Sequence, residues 1–257
     1  MPELPEVETL CRQLNAKITG MKIQKADVID RKLAGMDSVM GTCVQAVRRS
    51  GKTIVMVLDD GRAIEVHLRM TGRLLWNPSK TKFSHSRWRL RFGEGFVDLV
   101  DPRRFATVNV GSIQPDEGTT DLLVAFDERN FQARQAKRKV SVKTLLMDSK
   151  AISGIGNIYA CEILHRAGVS PLRKAEALTE SEWKKVFRLA RRILKKGIEN
   201  RGTSVSDWCD LYGCKGENQR ELRVYGKEGK MCGGCGGTIK RIRQGQRSTF
   251  YCTRCQK

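Results

Sequence analysis

The chain has 257 residues, with 48 Lys and Arg against 28 Asp and Glu, a formal net charge of +20 and a sequence pI near 9.9. That length supports two modest domains with separate cores, and the charge points to nucleic acid or an anionic membrane rather than a neutral small molecule. No apolar run approaches the ~20 residues of a membrane span, and the start carries Glu3, Glu6 and Glu8 instead of an apolar signal segment, so an intracellular protein is expected.

In chain order, the first feature is the run Met1-Pro2-Glu3-Leu4-Pro5-Glu6-Val7-Glu8-Thr9. Removal of Met1 leaves Pro2 with a free secondary amine. An α-amino group titrates near neutrality, so more of it is unprotonated and nucleophilic than in a lysine. Attack by such an amine on an aldehyde carbon gives a cationic iminium, which is an electron sink. Glu3 and Glu6 bring carboxylates able to give and take a proton beside it. Leu4, Val7, Leu10, Leu14 and Ile18 then recur at helical spacing, and Gly20 suits the helix end. Buried on a sheet, this helix fixes Pro2, Glu3 and Glu6 near one another.

A β-rich stretch follows to about residue 110. Ile64, Val66 and Leu68 alternate with Glu65, His67 and Arg69, while Trp88, Leu90 and Phe92 alternate with Arg87, Arg89 and Arg91. Asp60-Gly61 reads as a hairpin turn, and several short alternating strands predict an antiparallel sandwich over residues 1–115. Residues 116–139 read as a basic linker carrying Arg129, Arg134, Lys137, Arg138 and Lys139, suited to solvent or to a phosphate backbone. Residues 140–219 turn helical: Trp183, Val186, Phe187, Ala190, Ile193 and Leu194 mark one apolar face, and Thr179 with Glu182 makes a capping box at its start. Within that segment, Gly154-Ile155-Gly156-Asn157 before a helical run fits either a phosphate-gripping turn or an ordinary loop.

Residues 220–257 contain Cys232-x2-Cys235-x16-Cys252-x2-Cys255, the spacing of a four-cysteine zinc ribbon. Gly233, Gly234, Gly236 and Gly237 give its knuckles backbone freedom. Four thiolate ligands leave no open position, so one structural Zn2+ is expected, with no redox or nucleotide cofactor. Cys11, Cys43, Cys161, Cys209 and Cys214 are scattered and read as reduced thiols.

Taken together, the N-terminal run, Gly154-Ile155-Gly156-Asn157-Ile158-Tyr159-Ala160 and the cysteine ribbon resemble the formamidopyrimidine-DNA glycosylase family, and occur in family order over nearly the full length. The resemblance implies an α+β multidomain fold: an N-terminal antiparallel β-sandwich with an N-terminal helix, then a helical helix-two-turn-helix domain with a zinc ribbon. It also implies roles. Pro2 is the nucleophile, Glu3 and Glu6 the proton-handling acids, and Lys52, in Arg49-Ser50-Gly51-Lys52, the hairpin lysine that grips phosphate and assists catalysis. In His67-Leu68-Arg69-Met70-Thr71-Gly72, His67 lies at the DNA and Met70 fills the gap left by an everted nucleotide, although alone Met70 would fit a core. In Asp101-Pro102-Arg103-Arg104-Phe105, Arg103 contacts the widowed base, Phe105 inserts beside it and Arg104 holds phosphate. Lys150, Asn157 and Arg247 are backbone contacts, and Glu162 orients its neighbours.

Two departures stand out. The family's Gly-x-x-Pro-Leu type stretch is missing around residues 111 to 127. The loop from about Thr203 to Gln219, which covers the flipped base in related enzymes, carries Cys214 and Asn218 where a plainer, more aromatic sequence is expected.

The implied function is base-excision repair of double-stranded DNA containing oxidised bases or abasic sites. The activity is that of a bifunctional glycosylase/AP lyase for oxidised purines (formamidopyrimidines, 8-oxoguanine), acting through a Pro2 Schiff base and β,δ-elimination. The enzyme is expected to be a cytoplasmic, nucleoid-associated monomer that needs no membrane. Leu4, where the pyrimidine branch carries glycine, favours the purine branch over an oxidised-pyrimidine glycosylase. Pro2, Glu3 and Lys52 favour an enzyme over a non-catalytic sensor of damage or DNA structure.

Overall fold

The computed structural model describes residues 1–34, 38–112 and 120–257. It divides into two compact units: Met1–Asp116 with Gly197–Gln219, and Glu117–Lys196 with Arg220–Lys257. Among the described residues, no helix is long and apolar enough to cross a membrane.

The first unit begins with α1 (Leu4–Ile18), whose apolar positions Leu4, Val7, Leu10, Leu14 and Ile18 are all buried. Gly20 follows its end at a φ of 80°, a conformation that favours glycine. Among the described residues eight strands come next: β1 (Lys25–Val28), β2 (Val44–Ser50), β3 (Thr53–Leu58), β4 (Arg62–His67), β5 (Arg73–Asn77), β6 (Ser86–Phe92), β7 (Gly95–Val100) and β8 (Thr107–Ser112). They form two antiparallel sheets, ordered β1-β6-β7-β5 and β2-β3-β4-β8. One core joins the sheets and the helix. It holds Leu10 and Leu14, Ile54, Met56 and Ile64 from one sheet, and Trp88, Leu90 and Leu99 from the other. The β3–β4 hairpin turns at Asp60-Gly61, where Gly61 has a φ of 82° and Asp60 Oδ1 accepts the Arg62 N–H.

The alternation in β6 is broken. Arg87 and Arg89 are as buried as Trp88 and Leu90. Each is kept inside by acids: Arg89 makes a forked pair with Asp98 (2.8 and 2.7 Å), and Arg87 bonds Asp30 (2.6 Å) and Asp101 (3.3 Å).

Residues 197–219, placed by the sequence reading in the helical segment 140–219, group instead with the first unit. Trp208 and Leu211 enter its core, and the Leu211 carbonyl accepts the Trp76 N–H along the outer edge of β5, the last strand of its sheet. Asp210 accepts from Gln13, and Gln13 accepts the Leu211 N–H in return.

The second unit contains α2 (Glu128–Arg134), α3 (Val142–Leu146), α4 (Asn157–Ala167), α5 (Glu180–Glu199, which leaves the unit at Lys196) and the hairpin β9 (Ile239–Gln244)–β10 (Arg247–Cys252). The segment read as a basic linker is partly this helix α2. Asp127 caps it by accepting the Asn130 N–H, and Phe131 packs edge-on to Trp183 and Phe187. Arg129, Arg134, Lys137 and Lys139 remain exposed. The expected capping box of α5 is present: the Glu182 N–H donates to Thr179 Oγ1, and the Thr179 N–H to Glu182. The junction expected at 115/116 lies outside the described residues, as do residues 113–119 of the stretch where the Gly-x-x-Pro-Leu type run is missing.

Candidate active site and nucleic-acid interface

In the first unit, the start of α1 holds Pro2, Glu3 and Glu6, all buried. Glu6 is bonded on both oxygens. Oε2 accepts the Glu3 N–H (2.8 Å) and Oε1 accepts the Thr203 N–H (2.7 Å). The second acid of the sequence reading is thereby tied to backbone on either side, which is the geometry of a positioning group. Gly202 makes the close approach possible. Its φ is 84°, and a Cβ there would stand 2.8 Å from Glu6 Cγ and from Trp208 Nε1. Asn218, unexpected by family pattern, closes the same segment: its side chain donates to Thr203 Oγ1 (2.8 Å) and its N–H to the Gly202 carbonyl. Cys214 is exposed, while burial pushes the Cys209 thiol up. Burial does the same, more strongly, to Cys11.

Lys52 sits in the β2–β3 turn, after Gly51 at a φ of 57°. Its neighbour Thr53 is paired across β3–β4 with His67, so the hairpin sets Lys52 and His67 side by side. The Arg69 N–H donates to His67 Nδ1 (3.0 Å), which leaves the ring proton on Nε2. Burial, then the charges of Arg69 and Lys52, pull His67 down from 6.5 to about 4, keeping it neutral at working pH.

Beyond His67 the chain turns through Gly72, where a Cβ would meet the Leu68 carbonyl at 2.5 Å. This turn exposes Met70 (49%). The loop after β7 exposes Phe105 (47%) and Arg103. The three come together: the Arg103 guanidinium lies 4.7 Å from the centre of the Phe105 ring, and its Nη1 is 3.9 Å from Met70 Sδ. Asp101 fixes this loop. Oδ2 accepts the Phe105 and Ala106 N–H groups (both 2.7 Å), and Oδ1 accepts the Arg103 N–H and the Thr71 hydroxyl. Burial alone would raise the Asp101 carboxyl, yet these donors hold it below the usual carboxylate range. Arg104 is turned to Asp30, pairing through Nε (2.9 Å) and Nη2, and the Arg104 contact is the main reason Asp30 is strongly lowered.

In the second unit, Asn157 is the first residue of α4, preceded by Gly156, which has no side chain to cap the helix. Asn157 Nδ2 donates to the Ser248 carbonyl (2.9 Å), and Oδ1 accepts from Lys143 Nζ (2.6 Å). Lys143, absent from the sequence-based set, is 2% exposed. Its ammonium also reaches Thr249 Oγ1 (2.7 Å) and the Ser248 carbonyl (3.3 Å), tying α3 and α4 to the hairpin. Arg247, exposed at the start of β10, shares with Lys143 a groove of about 360 Å³ lined also by Thr144, Asp148 and Gln244. Lys150 is exposed, its N–H bonded to Asp148. Glu162 accepts the N–H groups of Arg223, Val224 and Tyr225, holding the approach to the ribbon on α4.

The sulfurs of Cys232, Cys235, Cys252 and Cys255 lie within 4.8 Å of one another, with Cys232–Cys255 at 3.7 Å and Cys235–Cys252 at 3.5 Å. A zinc ion about 2.3 Å from each of four sulfurs spaces them by about 3.8 Å, so the set fits one zinc. The Gly237 N–H donates to Cys235 Sγ (3.4 Å), and His165 Nε2 stands 3.3 Å from Cys232 Sγ, a neighbour that the spacing pattern does not reveal.

Residues 1–108 match the formamidopyrimidine-DNA glycosylase N-terminal domain, residues 118–208 the H2TH domain of the same enzymes, and residues 229–257 the zinc finger found in FPG and IleRS. A formamidopyrimidine-DNA glycosylase of Carboxydothermus hydrogenoformans is 39% identical over 267 residues, covering 100% of both chains. Among solved structures, a Lactococcus lactis FPG variant in complex with a Fapy-dG containing DNA superposes with a TM-score of 0.91 at 29% identity, covering 100% of both chains. The Lactococcus lactis Fpg in complex with an abasic site containing DNA gives 0.90 at 29% identity over 99% of each. With its paired antiparallel sheets, helical second unit and cysteine ribbon, the chain belongs to the formamidopyrimidine-DNA glycosylase family, enzymes of base-excision repair.

Proposed function

We propose that the chain excises oxidised purines from double-stranded DNA and then cuts the abasic strand, with Pro2 as nucleophile. One observation carries this reading. The first unit buries Pro2, Glu3 and Glu6 at one helix start while it exposes a Met70, Arg103 and Phe105 cluster held on a buried acid. Apolar side chains so displayed suit a gap in a base stack. Extruding the damaged nucleotide costs a few kcal/mol, which the wedge and the phosphate contacts offset.

The chemistry then runs through this chain's own groups. Pro2 nitrogen attacks the anomeric carbon, the bond to the base breaks, and the base leaves with the electron pair and takes up the proton that the amine loses. Glu3 passes a proton to the ring oxygen as the sugar opens, and an iminium forms. That cation acidifies the adjacent sugar proton, so its removal expels one phosphate and a second elimination expels the other. Glu6 keeps the head of α1 in register with residues 202–203. Lys52, His67 and Arg104 take phosphates beside the lesion. Lys150, Asn157 and Arg247 take the flanking backbone, with Lys143 aiming Asn157. Cys232, Cys235, Cys252 and Cys255 hold zinc, which supplies structure and no open coordination position.

The domains follow as a catalytic sandwich, a helix-two-turn-helix module and a ribbon, with residues 197–219 working as part of the catalytic unit. The enzyme works as a monomer in the cytoplasm, on nucleoid DNA. With Met1 in place the Pro2 nitrogen is an amide. Met1 is 42% exposed, open to a processing peptidase. Borohydride should trap the protein covalently on lesion-bearing duplex once mass spectrometry shows Met1 absent. Folded, Met1-free protein that binds the duplex but never cross-links would overturn the proposal.

A further inference from the structure

Helix α5 carries a basic surface apart from the residues considered so far. Its apolar face is buried through Trp183, Val186, Phe187, Ala190 and Leu194. On the other side Lys185, Arg188, Arg192 and Lys195 are exposed. Their spacing puts them in one stripe about 15 Å long. The sequence offers no carboxylate between Glu182 and Glu199. The flanking cations Lys184 and Arg191 are paired, with Glu180 (2.6 Å) and Glu128 (2.7 Å).

The stripe adjoins two further arginines. Arg166, near the C-terminal end of α4, is half-buried. It donates through Nη2 to the Glu221 carbonyl (2.9 Å), while its buried Nε has no hydrogen-bond partner among the described residues. Burial and the charges of Arg223 and Arg192 pull this guanidinium below the usual arginine range, against the opposing pull of Glu162 and Glu221. The like charges gathered at Arg166, Arg192 and Arg223 are relieved by an anion. Asn157 opens α4 and Arg166 lies nine residues further on, about 13 Å along the axis, so this surface is separate from the phosphate grip at Asn157.

No exposed position of α5 carries an apolar side chain. A protein interface needs buried aromatic or aliphatic anchors, and a bilayer surface needs side chains to insert. A row of cations ending in arginine forks fits a phosphate backbone instead.

We propose that Lys185, Arg188, Arg192 and Lys195, with Arg166 and Arg223, form a second DNA-binding surface that takes the phosphates of another duplex segment while the lesion duplex occupies the primary site. It rests on the reading of this chain as a DNA glycosylase. Two-segment contact lets the enzyme pass between duplexes without release.

The experiment compares the wild type with a variant carrying Lys185→Ala, Arg188→Ala, Arg192→Ala and Lys195→Ala. All four positions are exposed, and alanine favours helix, so the fold is kept. Protein loaded on an immobilised undamaged duplex is offered a labelled second duplex, and cleavage of a short lesion duplex is measured separately. The wild type should capture the second duplex, losing about 10²-fold in that affinity from roughly 50 to 200 mM salt if four phosphates are held. The variant should capture at least about tenfold less and cleave the short duplex like the wild type. The proposal is overturned by a wild type that captures nothing, by a variant that captures equally well, or by a variant whose short-duplex cleavage falls along with capture. Capture by a wild type that cleaves no lesion would sink the enzymatic reading and leave the second surface standing.

Discussion

Glu6→Gln separates a proton-transfer role for Glu6 from a positioning one. The carboxylate is 2% exposed and accepts two backbone N–H groups, from Glu3 at 2.8 Å and Thr203 at 2.7 Å. Glutamine keeps one acceptor oxygen and turns an NH2 toward the other donor. One charge-assisted bond is weakened and the other becomes a donor–donor contact. A hydrogen bond to a charged group contributes about 1.5–3 kcal/mol, and a buried unsatisfied N–H costs about 1–3 kcal/mol, so the variant should lose about 2–4 kcal/mol. That is a fall of roughly 10 °C in Tm for a unit of this size. The assay pairs thermal unfolding with single-turnover borohydride trapping on saturating abasic duplex, across pH. Trapping should slow about tenfold, the effect of misplacing the nucleophile by a fraction of an ångström, with the shape of the pH profile unchanged. A variant as stable as the wild type whose trapping is abolished, with one limb of the profile missing, would refute this reasoning and restore Glu6 as a proton carrier.

Lys143→Met should weaken DNA binding by about tenfold or more, because Asn157 Oδ1 and Thr249 Oγ1 lose their donor, while leaving the salt slope unchanged. Anisotropy titrations at several salt concentrations check this, and a slope reduced by about 0.9 would mean that the lysine itself holds a phosphate. His67 has a folded value of about 4, below its unfolded 6.5, so the unfolded chain takes the proton first; its effect on stability is nil above pH 6.5 and turns unfavourable as pH falls from there toward 4. Ring signals in NMR should hold steady from pH 8 to about 5.5, and a midpoint near 6.5 would contradict the burial argument. Cys252→Ser should release zinc and unfold the ribbon while the sandwich still melts cooperatively; zinc content undiminished in metal analysis would show that the four thiols are not the ligand set.

Features with local causes were legible in the sequence. The register of α1 follows from Leu4, Val7, Leu10, Leu14 and Ile18, and the thiol cluster from two Cys-x2-Cys pairs. Met70, Arg103 and Phe105 were grouped only through resemblance, since no spacing rule links residues thirty apart; the contact exists because Asp101 folds the loop back beside Thr71. Helix α2 was hidden in a run of cations, although Asp127 as a cap and Phe131 four residues on were available signals. Lys143 gave a weaker one, a lysine set among Val142, Leu145 and Leu146. The docking of residues 197–219 on the first unit depends on Trp208, Leu211 and Gln13 meeting across long sequence separations, which periodicity does not encode.

The break in β6 links the fold to the exposed cluster. An apolar side chain left in water costs folding free energy unless the backbone beneath it has no better arrangement. Here the backbone is over-determined by buried charge. Arg87 bonds Asp30, Asp101 and the Ala106 carbonyl. Asp101 in turn holds the Arg103, Phe105 and Ala106 N–H groups. Asp30 also receives Arg104, which has a φ of 58°, a strained value for a residue with a Cβ. Collapse of Phe105 into the core would strip Asp101 of donors it has no water to replace, and would leave Arg87 short of partners. Removing one member of a buried charged network costs about 3–5 kcal/mol, more than the roughly 1.5–3 kcal/mol gained by burying one phenylalanine. Arg87, which breaks the strand alternation, is therefore what keeps Phe105 and Met70 on display.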